Sequence, residues 1–147
     1  MNQYFYDFDI YQSPSRELPS ELLTGSNEKN LLIVVLHSDY STENQEFLTK
    51  VLGAVDYDIA NDTTLLRLPD NQELAVNRLV NHGDYKQCLM FGVDPKKCGY
   101  SFESFLYAPF IISNTTFILG NSLSRLKGSV EYKKALWNCL QTVFNKK

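Results

Sequence analysis

Six consecutive apolar residues, Leu31-Leu32-Ile33-Val34-Val35-Leu36, constrain the fold of this chain more than any other feature. Successive side chains of a strand point to opposite faces. A run with no polar interruption therefore predicts a strand covered on both sides. Downstream the period changes. Thr42 and Gln45 make a capping-box pattern with Glu43 and Glu46 in the first turn. Phe47, Leu48, Val51, Leu52 and Val55 then recur at helical spacing, which predicts a helix over 42–53 ended by Gly53. Thr63 to Leu68 reads as a second strand, stopped by Pro69. Asp70 and Glu73 open a second helix with the stripe Leu74, Val76, Leu79 and Val80, and Gly83 ends it. Gln87 to Val93 reads as a third strand. This β-α-β-α-β order predicts parallel strands joined by right-handed crossovers.

The remainder is less regular. Residues 94–109 contain Pro95, Gly99 and Pro109 and read as a loop. Phe110-Ile111-Ile112 and Thr116-Phe117-Ile118-Leu119 are β-prone runs on either side of a turn at Ser113-Asn114-Thr115. Ser122 to Leu126 reads as a helical turn. After Gly128, Ser129 caps a last helix carrying Tyr132, Leu136, Trp137, Leu140, Val143 and Phe144 on one face. Trp137 is expected to be a large core residue.

At 147 residues the chain suits one compact domain. No apolar run approaches the length of a membrane span, and the N-terminus lacks the pattern of a secretory signal. Cys88, Cys98 and Cys139 lack ligand spacing and read as free thiols of a reducing cytoplasm. No metal site, cofactor or membrane association is expected. The net charge of −3 argues against a generic nucleic-acid coat.

That charge is unevenly spread. Residues 125–147 carry Arg125, Lys127, Lys133, Lys134, Lys146 and Lys147 against Glu131 alone, a net +5, and residues 1–124 sum to −8. Basic residues near a helix C-terminus favour the helix dipole; the same cluster also offers a partner or phosphate surface. The N-terminus departs from the average as well. Tyr4, Phe5, Tyr6, Phe8 and Tyr11 flank Ile10, and Pro14, Pro19 and a polar stretch follow, running to Asn30. Such a segment either anchors a partner through its aromatic side chains or folds back on its own core. The chain accordingly divides into an arm over 1–30 and an α/β domain over 31–147.

Chemical motifs are scarce. There is no glycine-rich phosphate loop, no nucleophile elbow and no zinc pattern. One constellation has enzymatic potential. Ligands of open parallel sheets bind beyond the C-terminal ends of the strands, where this order places His37, Ser38, Asp39 and Asp94, with Asn121 and Ser122 nearby. A histidine with carboxylates performs general acid-base work, but polar residues follow buried strands in any case.

Several local patterns in this layout belong together. They are Phe47-Leu48-Thr49-Lys50-Val51-Leu52-Gly53, Leu66-Arg67-Leu68-Pro69, Met90-Phe91-Gly92-Val93, Pro109-Phe110-Ile111-Ile112, Thr116-Phe117-Ile118-Leu119, Ser122-Leu123-Ser124-Arg125-Leu126 and Lys133-Lys134-Ala135-Leu136-Trp137. In these the chain resembles the psi subunit of the bacterial DNA polymerase III clamp loader from residue 31 onward. The resemblance implies a three-layer Rossmann-like α/β sandwich related to uracil-DNA glycosylases, with a mostly parallel central sheet of four to five strands. It implies an adaptor with no enzymatic activity. In that family an N-terminal peptide binds the clamp-loader motor subunits, and the globular part binds the chi subunit. By this resemblance Phe8 to Pro14 would form the docking peptide, and Tyr4, Phe5, Phe8, Ile10 and Tyr11 would be the partner-binding residues.

Glycosylase chemistry is not expected. Gly92-Val93-Asp94-Pro95 looks like the water-activating Gly-Gln-Asp-Pro motif, but it follows the third strand instead of the first. The stretch Gly120-Asn121-Ser122-Leu123 lacks the histidine of the late His-Pro-Ser-Pro motif. Two alternatives to the adaptor stand beside it. One is a small α/β enzyme or nucleotide-binding protein using His37, Asp39 and Asp94. The other is a degenerate glycosylase-like domain binding DNA through Arg125, Lys127, Lys133 and Lys134.

Overall fold

Strand β2 (Leu31–Leu36) lies inside the sheet with all but its last residue buried, as its uninterrupted apolar composition requires. The computed structural model describes residues 22–69, 76–83, 85–100, 106–112 and 114–144. The other strands are β1 (Leu23–Thr24), β3 (Thr63–Leu68), β4 (Gln87–Phe91), β5 (Phe110–Ile112) and β6 (Thr115–Gly120). The helices are α1 (Thr42–Gly53), α2 (Val76–His82), α3 (Leu123–Lys127) and α4 (Val130–Phe144).

The six strands form one mixed sheet in the order β1-β3-β2-β4-β6-β5. Strands β3, β2, β4 and β6 are parallel, with Leu31 opposite both Thr63 and Gln87. The outermost strands β1 and β5 run antiparallel to their neighbours. The α/β class and parallel centre therefore match the expectation from sequence, and the strand count of six exceeds the four to five expected. The additional strand is β1. Its two residues are too few to show any hydrophobic period.

The alternation of β2 builds two cores. Leu31, Ile33 and Val35 pack with Leu48 and Leu52 of α1, Leu123 and Leu126 of α3, and Leu136 and Leu140 of α4. Leu32 and Val34 face the opposite side, with Val76 and Val80 of α2 and with Cys88, Met90 and Phe117. Complete burial of side chains such as Leu48 and Leu52 is worth about 1.5–3 kcal/mol each. These two residues and Leu136 and Leu140 sit at the helical spacing visible in sequence.

The helix ends follow their capping residues. The cap of α1 is Ser41, one residue before the expected Thr42, and its hydroxyl accepts from the Asn44 N–H at 3.3 Å. Ser129 accepts from the Tyr132 N–H at 3.2 Å, as its position before α4 predicts. The opening of α2 at Asp70 and Glu73 lies outside the described residues, as does the N-terminal segment through residue 21.

Residues 22–30 are integrated into the sheet. Leu23 pairs with Leu66, and the backbone N–H groups of Ser26, Asn27, Glu28 and Lys29 donate to carbonyls of Ala60, Thr63, Asn61 and Asp62. Gly25 makes the close approach possible: its φ is +106°, and a Cβ there would collide with the Thr63 carbonyl oxygen. Lys29 adds a hydrogen bond from Nζ to the Asp56 carbonyl at 2.7 Å and stands 4.8 Å from the Tyr57 ring centroid. A boundary after residue 30 would thus place a strand of the sheet within the arm.

Trp137 corrects the expectation of a core tryptophan. It is 39% exposed, while Leu136 and Leu140 face inward. A residue at the margin of an amphipathic stripe shares its period without sharing its burial.

Candidate functional site

The order of the parallel strands reverses between β2 and β4, because the chain passes from β2 to β3 on one side and then returns to β4 on the other. Crevices at such a switch point, beyond the strand C-terminal ends, are the usual ligand positions of open α/β sheets. Here β2 leads into a short 3-10 turn at His37–Asp39, and β4 leads through Gly92 and Val93 to Asp94. A crevice of about 390 Å³ lies at this end, lined by Gly92, Asp94, Leu106, Asn121, Ser122 and Arg125 among others.

The polar residues gathered there are engaged in structural hydrogen bonds. The Asp39 carboxylate receives the N-terminus of α3: Oδ2 accepts from the Leu123 N–H at 2.6 Å, and Oδ1 accepts from the Ser124 N–H at 3.3 Å. Ser124 Oγ also donates to Oδ1, at 2.7 Å. The buried Asn44 side chain donates to Ser124 Oγ at 3.1 Å and to the Asp39 backbone carbonyl, joining α1 to the same network. A carboxylate accepting backbone N–H groups at a helix start satisfies donors that the helix itself leaves open. Asp39 thereby fastens the end of β2 to a helix 84 residues further along.

Asp94 has a similar local role. Its carboxylate accepts from the Lys96 N–H at 3.1 Å and caps the short Pro95–Cys98 turn. Asn121 accepts a hydrogen bond from the Tyr107 hydroxyl at 2.7 Å, and its own N–H donates to that hydroxyl at 3.1 Å. Burial raises the Tyr107 pKa, keeping the phenol in the protonated form this donation requires. Ser122 caps α3 by accepting from the Arg125 N–H at 3.4 Å. His37 is exposed at the start of its turn. Among the described residues no hydrogen bond joins the His37 side chain to Asp39 or Asp94, so the three are near one end of the sheet without forming an acid-base relay.

The close packing at this end also rests on Gly92. Its φ is +68°, and a Cβ would come within 2.8 Å of Ser122 Cα. The Gly92 N–H donates to the Gly120 carbonyl at 2.9 Å. The sequence Gly-Val-Asp-Pro therefore supplies a tight backbone contact between β4 and β6 and a cap for the following turn.

The cysteines are free and buried. Burial, with the Asp94 carboxylate adding to it, pushes the Cys98 thiol up to about 12, and burial also raises Cys88 and Cys139. These directions oppose the thiolate that a nucleophile or metal ligand needs. Among the described residues no three His, Cys, Asp or Glu side chains gather to hold a metal ion. No described helix is long and apolar enough to cross a membrane.

Arg125 and Lys127 lie on α3, and Lys133 and Lys134 lie on the first half of α4. Lys127 forms an ion pair with Glu43 of α1 at 3.1 Å. The partner-binding residues expected from sequence, Tyr4, Phe5, Phe8, Ile10 and Tyr11, lie outside the described residues. Sequence reasoning missed the cleft between α1 and α4 where Trp137 is exposed. Its position beside Lys133 was visible, but its outward direction depends on how α4 is rotated against α1. No protein-family model matches the chain, and no curated protein matches it.

Proposed function

We propose that this chain is a non-catalytic adaptor resembling the psi subunit of the bacterial replicative clamp loader. It works in the cytoplasm, contacts the clamp-loader motor subunits through its N-terminal arm and offers its globular domain to a chi-like subunit. The observation that carries the non-catalytic part is the use of Asp39: its carboxylate closes α3 instead of facing a substrate. The finer reading of the fold is a three-layer Rossmann-like sandwich of glycosylase type. Four adjacent parallel strands with helices on both faces support it. The sequence patterns of the resemblance fall on α1, the ends of β3 and β4, the β5–β6 pair, α3 and α4.

On this reading Tyr4, Phe5, Phe8, Ile10 and Tyr11 supply the anchors. Aromatic side chains dominate interface energies because each buries a large area for few frozen torsions. Capture of the chain on immobilised clamp-loader motor subunits tests the proposal. The intact chain is retained, and a full-length variant with these five residues changed to serine is not. Equal retention of both, or retention of neither, contradicts it. Salt-dependent binding to DNA in place of protein capture would favour the basic residues of α3 and α4 as the working surface.

A further inference from the structure

The outer side of the helical layer has an unusual composition. Along their meeting line α1 and α4 leave a cleft of about 280 Å³, walled by Phe47, Val51, Ala54, Leu136, Trp137 and Leu140. Its charged lining residues are Lys50 and Lys133, both exposed. The volume falls below the range of cofactor and drug-sized pockets, about 300–1,000 Å³. It suits one or two inserted side chains. The chemistry required of an occupant is an aromatic or aliphatic anchor accompanied by negative charge.

One segment of this chain has that chemistry. Tyr4-Phe5-Tyr6-Asp7-Phe8-Asp9-Ile10-Tyr11 alternates apolar residues with two aspartates. In an extended conformation Phe8 and Ile10 point to one side, and Asp7 and Asp9 point to the other. The apolar pair can then enter the cleft while the carboxylates stay at its mouth with the lysines. We propose that residues 4–11 occupy the α1–α4 cleft of their own chain, a self-masked resting state that a binding partner must displace. The length of chain permits this. Tyr11 and Leu22 are eleven residues apart, a span of up to about 36 Å when extended. The route from β1 past β3 to the helical layer crosses two strand spacings, about 10 Å, and a helix diameter of about 10 Å. The masking adds a resting state to the adaptor reading but does not rest on it, because the cleft and the segment are complementary whatever the partner.

Trp137 is the single tryptophan of the chain and lines the cleft, so its fluorescence reports occupancy directly. Acrylamide quenching is measured on four full-length proteins: wild type, Lys50→Glu/Lys133→Glu, Asp7→Lys/Asp9→Lys, and the combination of both pairs. Wild-type Trp137 is expected to be protected, each charge reversal is expected to lose that protection, and the combined variant is expected to regain it. A Phe8→Ser/Ile10→Ser variant, which leaves every charge in place, loses protection as well. Equal quenching in all five proteins overturns the proposal. Protection that appears only on adding clamp-loader subunits also overturns it, by assigning the cleft to a partner. Protection that disappears on dilution overturns it in favour of a second copy of the chain. Since capture by clamp-loader subunits is a separate readout, failure of the adaptor reading and failure of the masking are distinguishable.

Discussion

Asp39 is the residue on which the interpretation of the strand ends turns. By sequence it is a carboxylate two positions after a histidine at the end of a buried strand, the place where catalytic acids and bases of α/β proteins are found. In the fold it holds the start of α3 with two N–H acceptances and a serine hydroxyl. Asp39→Ala leaves those donors without a partner and should cost about 1–3 kcal/mol. Asp39→Asn retains an acceptor oxygen and should cost less. Urea unfolding of the three proteins checks the ordering; equal midpoints would contradict a structural role. No local pattern could have revealed this, because the donors lie 84 residues downstream. Cys98 offers a second test at this scale. Its thiol titrates near 9.0 when unperturbed and at about 12 in the fold. The raised value means that folding favours the protonated thiol. Its contribution to stability is therefore fully present below pH 9 and is lost as pH rises from 9 toward 12. The urea midpoint should fall across that window in the wild type, and should fall less steeply in Cys98→Ala. Parallel curves would show that the thiol does not carry the effect.

At the scale of elements the hydrophobic period decided most of the fold. The Leu31–Leu36 run, the stripe of α1 and the β-prone run at 116–119 became the elements they predicted by burying most of the side chains that defined them, whereas the run at 110–112 became an edge strand that leaves Ile111 exposed. Legibility ended where an element depends on its neighbour. Strand β1 exists because Gly25 lets the chain pass against Thr63, and its Leu23–Thr24 pair carries no period of its own. The exposure of Trp137 is set by the packing of α4 on α1, which a stripe of residues cannot express. The β4–β6 junction supplies a prediction here. Gly92→Ala introduces a methyl group against Ser122 at a φ of +68°. The strained backbone costs about 1–3 kcal/mol, with further loss from the displaced start of α3. Thermal unfolding should show a lowered midpoint for this variant, whereas Gly53→Ala, where nothing lies within 4 Å of the added Cβ, should not destabilise. The reverse order would mean that this junction is not tightly packed.

For the whole molecule the charge distribution takes on a more definite form. The basic residues that end the sequence do not all face solvent alone, since Lys127 pairs with Glu43 across α3 and α1. Lys133 instead joins Lys50 at the apolar cleft. The strand-end polar groups of the acidic body stabilise the fold, and the adaptor proposal assigns recognition to the aromatic arm. The candidate site visible in sequence was legible as a cluster at the sheet end but not as to its use, which only the hydrogen bonds of Asp39, Asp94 and Asn121 disclose. Titration calorimetry against clamp-loader motor subunits tests the adaptor account most directly, using wild type, His37→Ala and a full-length Phe5→Ser/Phe8→Ser/Ile10→Ser variant. Unchanged affinity is expected for His37→Ala, and a loss of at least about 30-fold for the arm variant, the scale of an interface hot spot. Undiminished binding by the arm variant, or loss of binding on changing His37, would contradict it.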